Sequence, residues 1–265
     1  MGLSRRLFIG ASLSSATASV MAGANVAEAS ATKPQKWDKT VNVVIIGSGG
    51  AGLATAVSAA ENGVKDILVL EKLAFLGGNT AIATGAFNTA DPKQKEQGIE
   101  DSPELHAQQT LKGGDFRANP ELVNELTHNS YDTLTWLESK GVKFQPKILQ
   151  VYGALWPRSH ATAASKGSDY IRVLSEEAKK LGVTIQTQAK VVDIIRENQL
   201  SGRVLGVEYL NKDGQHVFVR ALKAVVACPG GFGANREMRS LHDPRLYNLT
   251  TTNNQIGRAS CRERV

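Results

Sequence analysis

Val41–Ile46 reads VNVVII, an almost unbroken apolar run of the kind a strand buried on both faces shows. Leu53–Asn62 follows, rich in alanine and helical in character, and Gly63 closes it. KDILVLE, residues 65–71, is a second apolar run and predicts a second buried strand. Strand, helix and strand in this order predict a βαβ unit with parallel strands. DSPELHAQQTLKGG (101–114) and NPELVNELTHNSYDTLTWLESKG (119–141) predict two more helices. In the second, Asn119 caps, Pro120 sits in the first turn and Gly141 terminates. Leu122, Leu126, Leu134 and Leu137 are expected to form its apolar face. Residues 151–167 read as a loop leading into a helix around Ser168–Leu181. Residues 183–198, 203–210 and 216–233 then read as successive strands, with turns at Ser201-Gly202 and Asp213-Gly214. The expected fold class is α/β, a Rossmann-like domain whose parallel sheet carries an added antiparallel β-layer.

Composition narrows the function classes. With 42% apolar residues and 25 glycines in 265, the chain is globular and has material for a sizeable core. The formal net charge is +6, and half of that excess sits in the first 29 and the last ten residues. No Lys/Arg cluster interleaves with aromatics, which argues against nucleic-acid binding. The two cysteines, Cys228 and Cys261, make no disulfide framework and no haem-attachment motif. Residues 1–29 have a charged start, an apolar middle and a small-residue end at Ala27-Glu28-Ala29, the layout of an export signal. Its middle is too short and too polar for the roughly 20 apolar residues a membrane span needs. SRRLFI, containing Arg5 and Arg6, is similar to a twin-arginine signal, which carries folded, often cofactor-loaded proteins to the periplasm. Residues 30–40 read as a linker.

The chemistry is concentrated after the first strand. Gly47-Ser48-Gly49-Gly50-Ala51-Gly52 is a G-x-G-x-x-G turn between strand and helix. Gly47 permits the tight turn, Gly49 and its neighbour Gly50 let backbone approach a pyrophosphate, and Gly52 lets helix and strand pack closely. Backbone amides and the helix dipole then face the phosphates. Glu71 ends the second strand about 20 residues on, where an acid accepts hydrogen bonds from a ribose. A second glycine-rich loop, Gly77-Gly78-Asn79-Thr80 through Gly85, suits a longer cofactor whose ring is flanked by backbone. A plain NAD(P)-linked Rossmann enzyme is the competing reading of the turn.

GSGGAG, EK…GGNT, ATGAFN, KGGDFRANPELV and ACPGGFGAN, in that order, resemble the flavoprotein of the fumarate reductase/succinate dehydrogenase superfamily. The resemblance covers about residues 41–254. It is greatest to the soluble periplasmic branch of flavocytochrome c-like and urocanate reductase-like reductases. It implies FAD as cofactor, touched by Ala51, Glu71, Lys72, Gly78, Asn79, Thr80, Thr84 and Gly85, with Val191 at the adenine and Gly230 in the later glycine pair. Ala86 stands where the pattern usually has a second glycine, and Cys228 and Pro229 are unusual before Gly230. Cys228 reads as a buried small hydrophobe rather than a nucleophile. Arg158 and His160 match an Arg-x-His that the family often has near the flavin; here they read as residues that hold the loop. His106 and His128 read as surface or packing residues rather than metal ligands.

The resemblance further implies reduction of an α,β-unsaturated carboxylate such as fumarate. Reduced FAD would pass a hydride to the β-carbon, cationic side chains would polarise the carboxylate, and an arginine would protonate the α-carbon. Those groups belong to a capping domain and a return segment that the family places beyond Asn254. No catalytic residue and no metal ligand is therefore expected within this stretch, and the chain alone is expected to be inactive. Electrons would come from a partner such as a c-type cytochrome. The last residues, QIGRASCRERV (255–265), match the in-frame translation of a common sequencing adapter and are expected to be non-native. Two rival readings remain: another FAD enzyme of the same fold, of 3-ketosteroid dehydrogenase or aspartate oxidase type, and a non-catalytic exported nucleotide-binding protein.

Overall fold

The computed structural model describes residue 34 and residues 36–198 and 201–253. The expected export signal and the adapter-like tail with Cys261 lie outside the described residues.

Strand β1 (Lys39–Ile46) begins two residues earlier than the apolar run suggests. Asp38 explains this: its amide donates to the Phe218 carbonyl and its carboxylate accepts from the Phe218 amide, so the end of the expected linker is already sheet edge. Helix α1 (Gly50–Glu61) returns the chain to β2 (Ile67–Leu70), which pairs in parallel with β1. A short α2 (Gly78–Ile82), β3 (Ala86–Asn88), α3 (Pro103–Gly113), α4 (Pro120–Ser139) and β4 (Ser159–Ala161) follow. Helix α5 (Ser168–Lys180) leads to β5 (Thr184–Gln186), which lies parallel against β2. Strands β6 (Lys190–Asn198), β7 (Ser201–Leu210) and β8 (His216–Ala227) form an antiparallel meander, and α6 (Arg236–His242) comes last.

Six of the strands are hydrogen-bonded in the order β5-β2-β1-β8-β7-β6, and β3 and β4 pair separately. The stretch 183–198 thus divides into two strands at opposite ends of that order. Between Gln186 and Lys190 the chain can reach only about 14 Å when fully extended, whereas five strand spacings of a flat sheet need about 24 Å. The sheet must therefore fold over itself. The shared strand is β8: its second half pairs in parallel with β1 and its first half antiparallel with β7. The result is the expected parallel sheet with an antiparallel layer on one face.

Residue alternation shows the layering directly. Val43, Ile45, Ile67 and Val69 point to the helices and pack with Leu53, Val57, Ile171 and Leu174. Val44, Ile46, Leu68 and Leu70 point the other way and pack with Val191, Val207, Tyr209 and Val219 of the meander. Both faces of β1 and β2 are buried, which is why their sequences read as unbroken apolar runs.

Asn119 caps α4 as expected, accepting from the Glu121 amide. Its buried stripe is different: Val123, Thr127, Ser130, Leu134 and Leu137 face inward, while Leu122 and Leu126 are 68% and 62% exposed. The inward stripe is partly polar because Ser130 meets Thr89 there through a 2.7 Å hydroxyl–hydroxyl bond. Hydrophobicity alone therefore pointed to the wrong leucines at the start of α4. Among the described residues no helix is long and apolar enough to cross a membrane.

Candidate functional site

A cleft of about 350 Å³ opens at the carboxyl ends of β1, β2 and β8. The turn after β1 is tied to both neighbours: the Gly47 amide donates to the Leu70 carbonyl and the Cys228 amide to the Ile46 carbonyl. Gly47 has φ +98°, and a Cβ there would stand 2.4 Å from the Cys228 carbonyl oxygen. A Cβ on Gly52 would stand 2.0 Å from the Gly47 carbonyl oxygen. These two glycines are demanded by the protein itself. Gly49 is not: its Cβ would meet nothing nearer than 3.9 Å, so the room in front of it is left for a ligand. Gly49 caps α1 without a side-chain hydrogen bond, so no capping side chain closes this helix end, where the dipole favours a phosphate. One first-turn amide is engaged, since Gly50 donates to Thr80 Oγ1 at 3.1 Å.

Glu71 is buried, and its contacts reveal a residue the sequence reading missed. Ser48, the first variable position of the motif, is fully buried. Both its amide (3.0 Å) and its hydroxyl (2.6 Å) donate to Glu71 Oε2. The Leu73 amide donates to Oε1 at 2.9 Å. A carboxylate offers about four lone-pair sites; among the described residues these three donors leave one on Oε1 for a ribose hydroxyl. Ser48 Oγ also accepts from the Gly77 amide, joining the first glycine turn to the second. A small polar residue between two glycines carries no sequence signal for this, because the pattern leaves that position open.

The cleft is lined by Gly47, Gly49, Gly50, Ala51, Glu71, Lys72, Gly78, Asn79, Thr80, Val191 and Gly230 of the expected set. It is also lined by Leu73, Ala189 and Lys190, which the sequence did not single out, and by Pro229. Burial pulls Lys72 below the usual lysine range; Glu71 opposes this and the Lys190 charge adds to it. Gly52 lies behind the turn as a packing residue. Thr84 and Gly85 do not line the cleft: Thr84 is exposed, and Gly85 is buried against Thr162 and Lys166. Cys228 lines the cleft and is half-buried rather than fully enclosed.

Arg158 and His160 hold a loop. Arg158 pairs with Asp101 through Nε (2.9 Å) and Nη2 (2.7 Å), and His160 Nε2 lies 3.2 Å from Asp91 Oδ2. Gln94 bridges the two pairs, donating to Asp101 and accepting from the Asp91 amide. His106 is buried beside them, held below the usual histidine range first by burial and then by the Arg158 charge, with Asp101 opposing. His128 is exposed and meets Glu104.

An amide-lined turn at the start of a helix, an acid closing the second strand and a cleft at the strands' carboxyl ends define a dinucleotide-binding α/β domain. The residues fit a dinucleotide on two observations: the space in front of Gly49 and the unused acceptor of Glu71. The chain belongs to the FAD binding domain family, which residues 42–257 match, and its cofactor is FAD. It is similar to the acrylate reductase flavoprotein subunit of Shewanella woodyi, 34% identical over 92% of this chain and 49% of that protein. It is also similar to the urocanate reductase of Eggerthella lenta, 32% identical over 94% of this chain and 43% of that protein. Among solved structures, the open conformation of a flavocytochrome c3 fumarate reductase superposes with a TM-score of 0.76 at 30% identity, covering 82% of this chain and 38% of that one. The chain thus spans about half the length, or less, of the relatives it matches.

Glu71→Gln is expected to weaken FAD binding about 10- to 100-fold. The ribose hydroxyl would lose its charged acceptor, and a hydrogen bond to a charged group contributes about 1.5–3 kcal/mol. Each 1.4 kcal/mol is about tenfold in affinity. Titration of apoprotein with FAD, followed by flavin fluorescence, measures it; unchanged affinity would remove Glu71 from the site.

Proposed function

We propose that the intact protein is an exported FAD-dependent oxidoreductase that reduces an α,β-unsaturated carboxylate with electrons from a separate redox partner. Three relatives carry the substrate class. Acrylate, urocanate and fumarate, named in their descriptions, are all carboxylates conjugated to a carbon–carbon double bond. The flavocytochrome among them supports a haem protein as the electron source. The Arg5-Arg6 motif and the small-residue end of the first 29 residues support export to the periplasm by the twin-arginine route.

In this reading the chain's own residues bind and orient. Gly47–Ala51 present backbone to the pyrophosphate, and the Oε1 acceptor of Glu71 takes a ribose hydroxyl. Val191 and Gly230 wall the adenosine side, and Gly78–Thr80 wall the side nearer the ring. When bound, FAD supplies the two-electron redox chemistry. The test is anaerobic oxidation of a reduced viologen by the intact protein with acrylate, fumarate or urocanate. Turnover of at least one is expected. An FAD-loaded protein that turns over none of them, but oxidises a 3-ketosteroid with an artificial acceptor, would overturn the assignment.

A further inference from the structure

The loop that carries Thr84 and Gly85 is held from behind, by the start of α5. The Gly85 carbonyl accepts two bonds, from the Thr162 amide at 3.2 Å and from the Tyr170 hydroxyl at 2.9 Å. The Gly167 amide donates to the Ala83 carbonyl at 2.8 Å. A Cβ on Gly167 would stand 1.9 Å from the Thr80 carbonyl oxygen, so backbone touches backbone there. Gly85 has φ +78°, and a Cβ on it would strike Lys166 backbone at 2.7 Å. The segment 83–85 is thus seated against residues 162–170. Tyr170 is buried and packs on Phe144, with ring centroids 6.1 Å apart. Burial, with the Asp169 charge, raises its hydroxyl above the usual phenol range, so it remains a neutral donor.

We propose that Tyr170 is a positioning residue for the cofactor's flavin half: its hydroxyl fixes the Gly85 carbonyl and thereby the loop that flanks the ring. The proposal rests on the reading of the cleft as an FAD site with loop 77–85 on its ring side. The adenosine half has its own support, the Gly47–Gly52 turn and Glu71, whereas the Tyr170 hydroxyl bonds Gly85. The two halves should therefore separate in experiment. Tyr170→Phe keeps the ring against Phe144 and removes one of two bonds to a carbonyl that the Thr162 amide still satisfies.

The test compares FAD and ADP binding to the intact apoprotein, wild type and Y170F, by calorimetry, together with the visible circular dichroism of bound flavin. The expected result is FAD affinity lowered about five- to tenfold, ADP affinity within about twofold of wild type, and an altered flavin dichroism. Equal losses for both ligands, or no loss for either, would overturn the proposal. A Y170F protein that fails to fold would also overturn it, because the hydroxyl would then serve the whole fold. Wild-type protein that binds ADP but not FAD would instead sink the FAD reading itself, and the proposal with it.

Discussion

Gly52→Ala is expected to lose FAD binding and most of its soluble, folded yield. The new Cβ would stand 2.0 Å from the Gly47 carbonyl oxygen, a backbone atom. No side-chain rotamer can relieve that contact. Either α1 moves away from the end of β1 or the turn rebuilds. The turn is poorly able to do so, because Gly47 is held at φ +98° against the Cys228 carbonyl. Overpacking costs typically about 1–3 kcal/mol and occasionally more; a backbone obstacle that cannot rotate away puts this site at the upper end. Domain stability is only about 5–15 kcal/mol in total. A thermal melt should fall by roughly 6–12 °C, and flavin should be absent from the purified protein. Gly49→Ala provides the contrast. Its Cβ has 3.9 Å of clearance from protein atoms, so the melt of the apoprotein should be nearly unchanged while FAD binding falls. If both variants fold and bind alike, the division into a packing glycine and a ligand glycine is wrong.

Arg158→Ala is the second large effect. The Asp101 side chain is completely buried and that of Arg158 is 7% exposed. Burying two charges is costly, and the pair is not strong evidence of net stabilisation compared with an apolar replacement. Removing one partner is different, since it leaves an uncompensated charge inside the protein, at about 3–5 kcal/mol. Gln94 would still donate to Asp101, at 3.1 Å, but a neutral amide does not offset a full charge. The melting temperature should fall by roughly 10 °C. Asp101→Asn combined with Arg158→Leu should recover part of the loss, because neither charge then remains buried. A single variant that melts with wild type would show that water reaches Asp101.

The expected Arg-x-His motif thus turns out to stiffen the antiparallel β3–β4 pair. His160 pairs in register with Phe87 across that pair and meets Asp91 through its ring. The ion pairs tie the segment that follows β3 to Arg158 and β4.

Much of the binding unit could be read from residue order alone. A continuous apolar run, glycines at set spacing and an acid after the next run have one common physical solution. A strand buried on both faces must end in a turn small enough to bring helix and strand together. That reasoning located Gly47, Gly49, Gly52 and Glu71 and the cleft between them. It could not identify Ser48, whose value lies entirely in being 2.6 Å from a carboxylate 23 positions away. Nor could it separate Leu122 and Leu126 from the buried stripe of α4. Side-chain type says what can be buried, while the neighbouring helix and Thr89 decide which face is.

The glycine turn after β1 and the apolar runs of β1 and β2 were determined by the sequence itself, because they are written in consecutive residues. The folding of the meander over the sheet, the use of β8 by both layers, and the clamp of α5 on Gly85 were decided only in three dimensions. Each depends on contacts between segments far apart in the chain, and for those the energy comes from which surfaces meet and not from what either segment prefers alone.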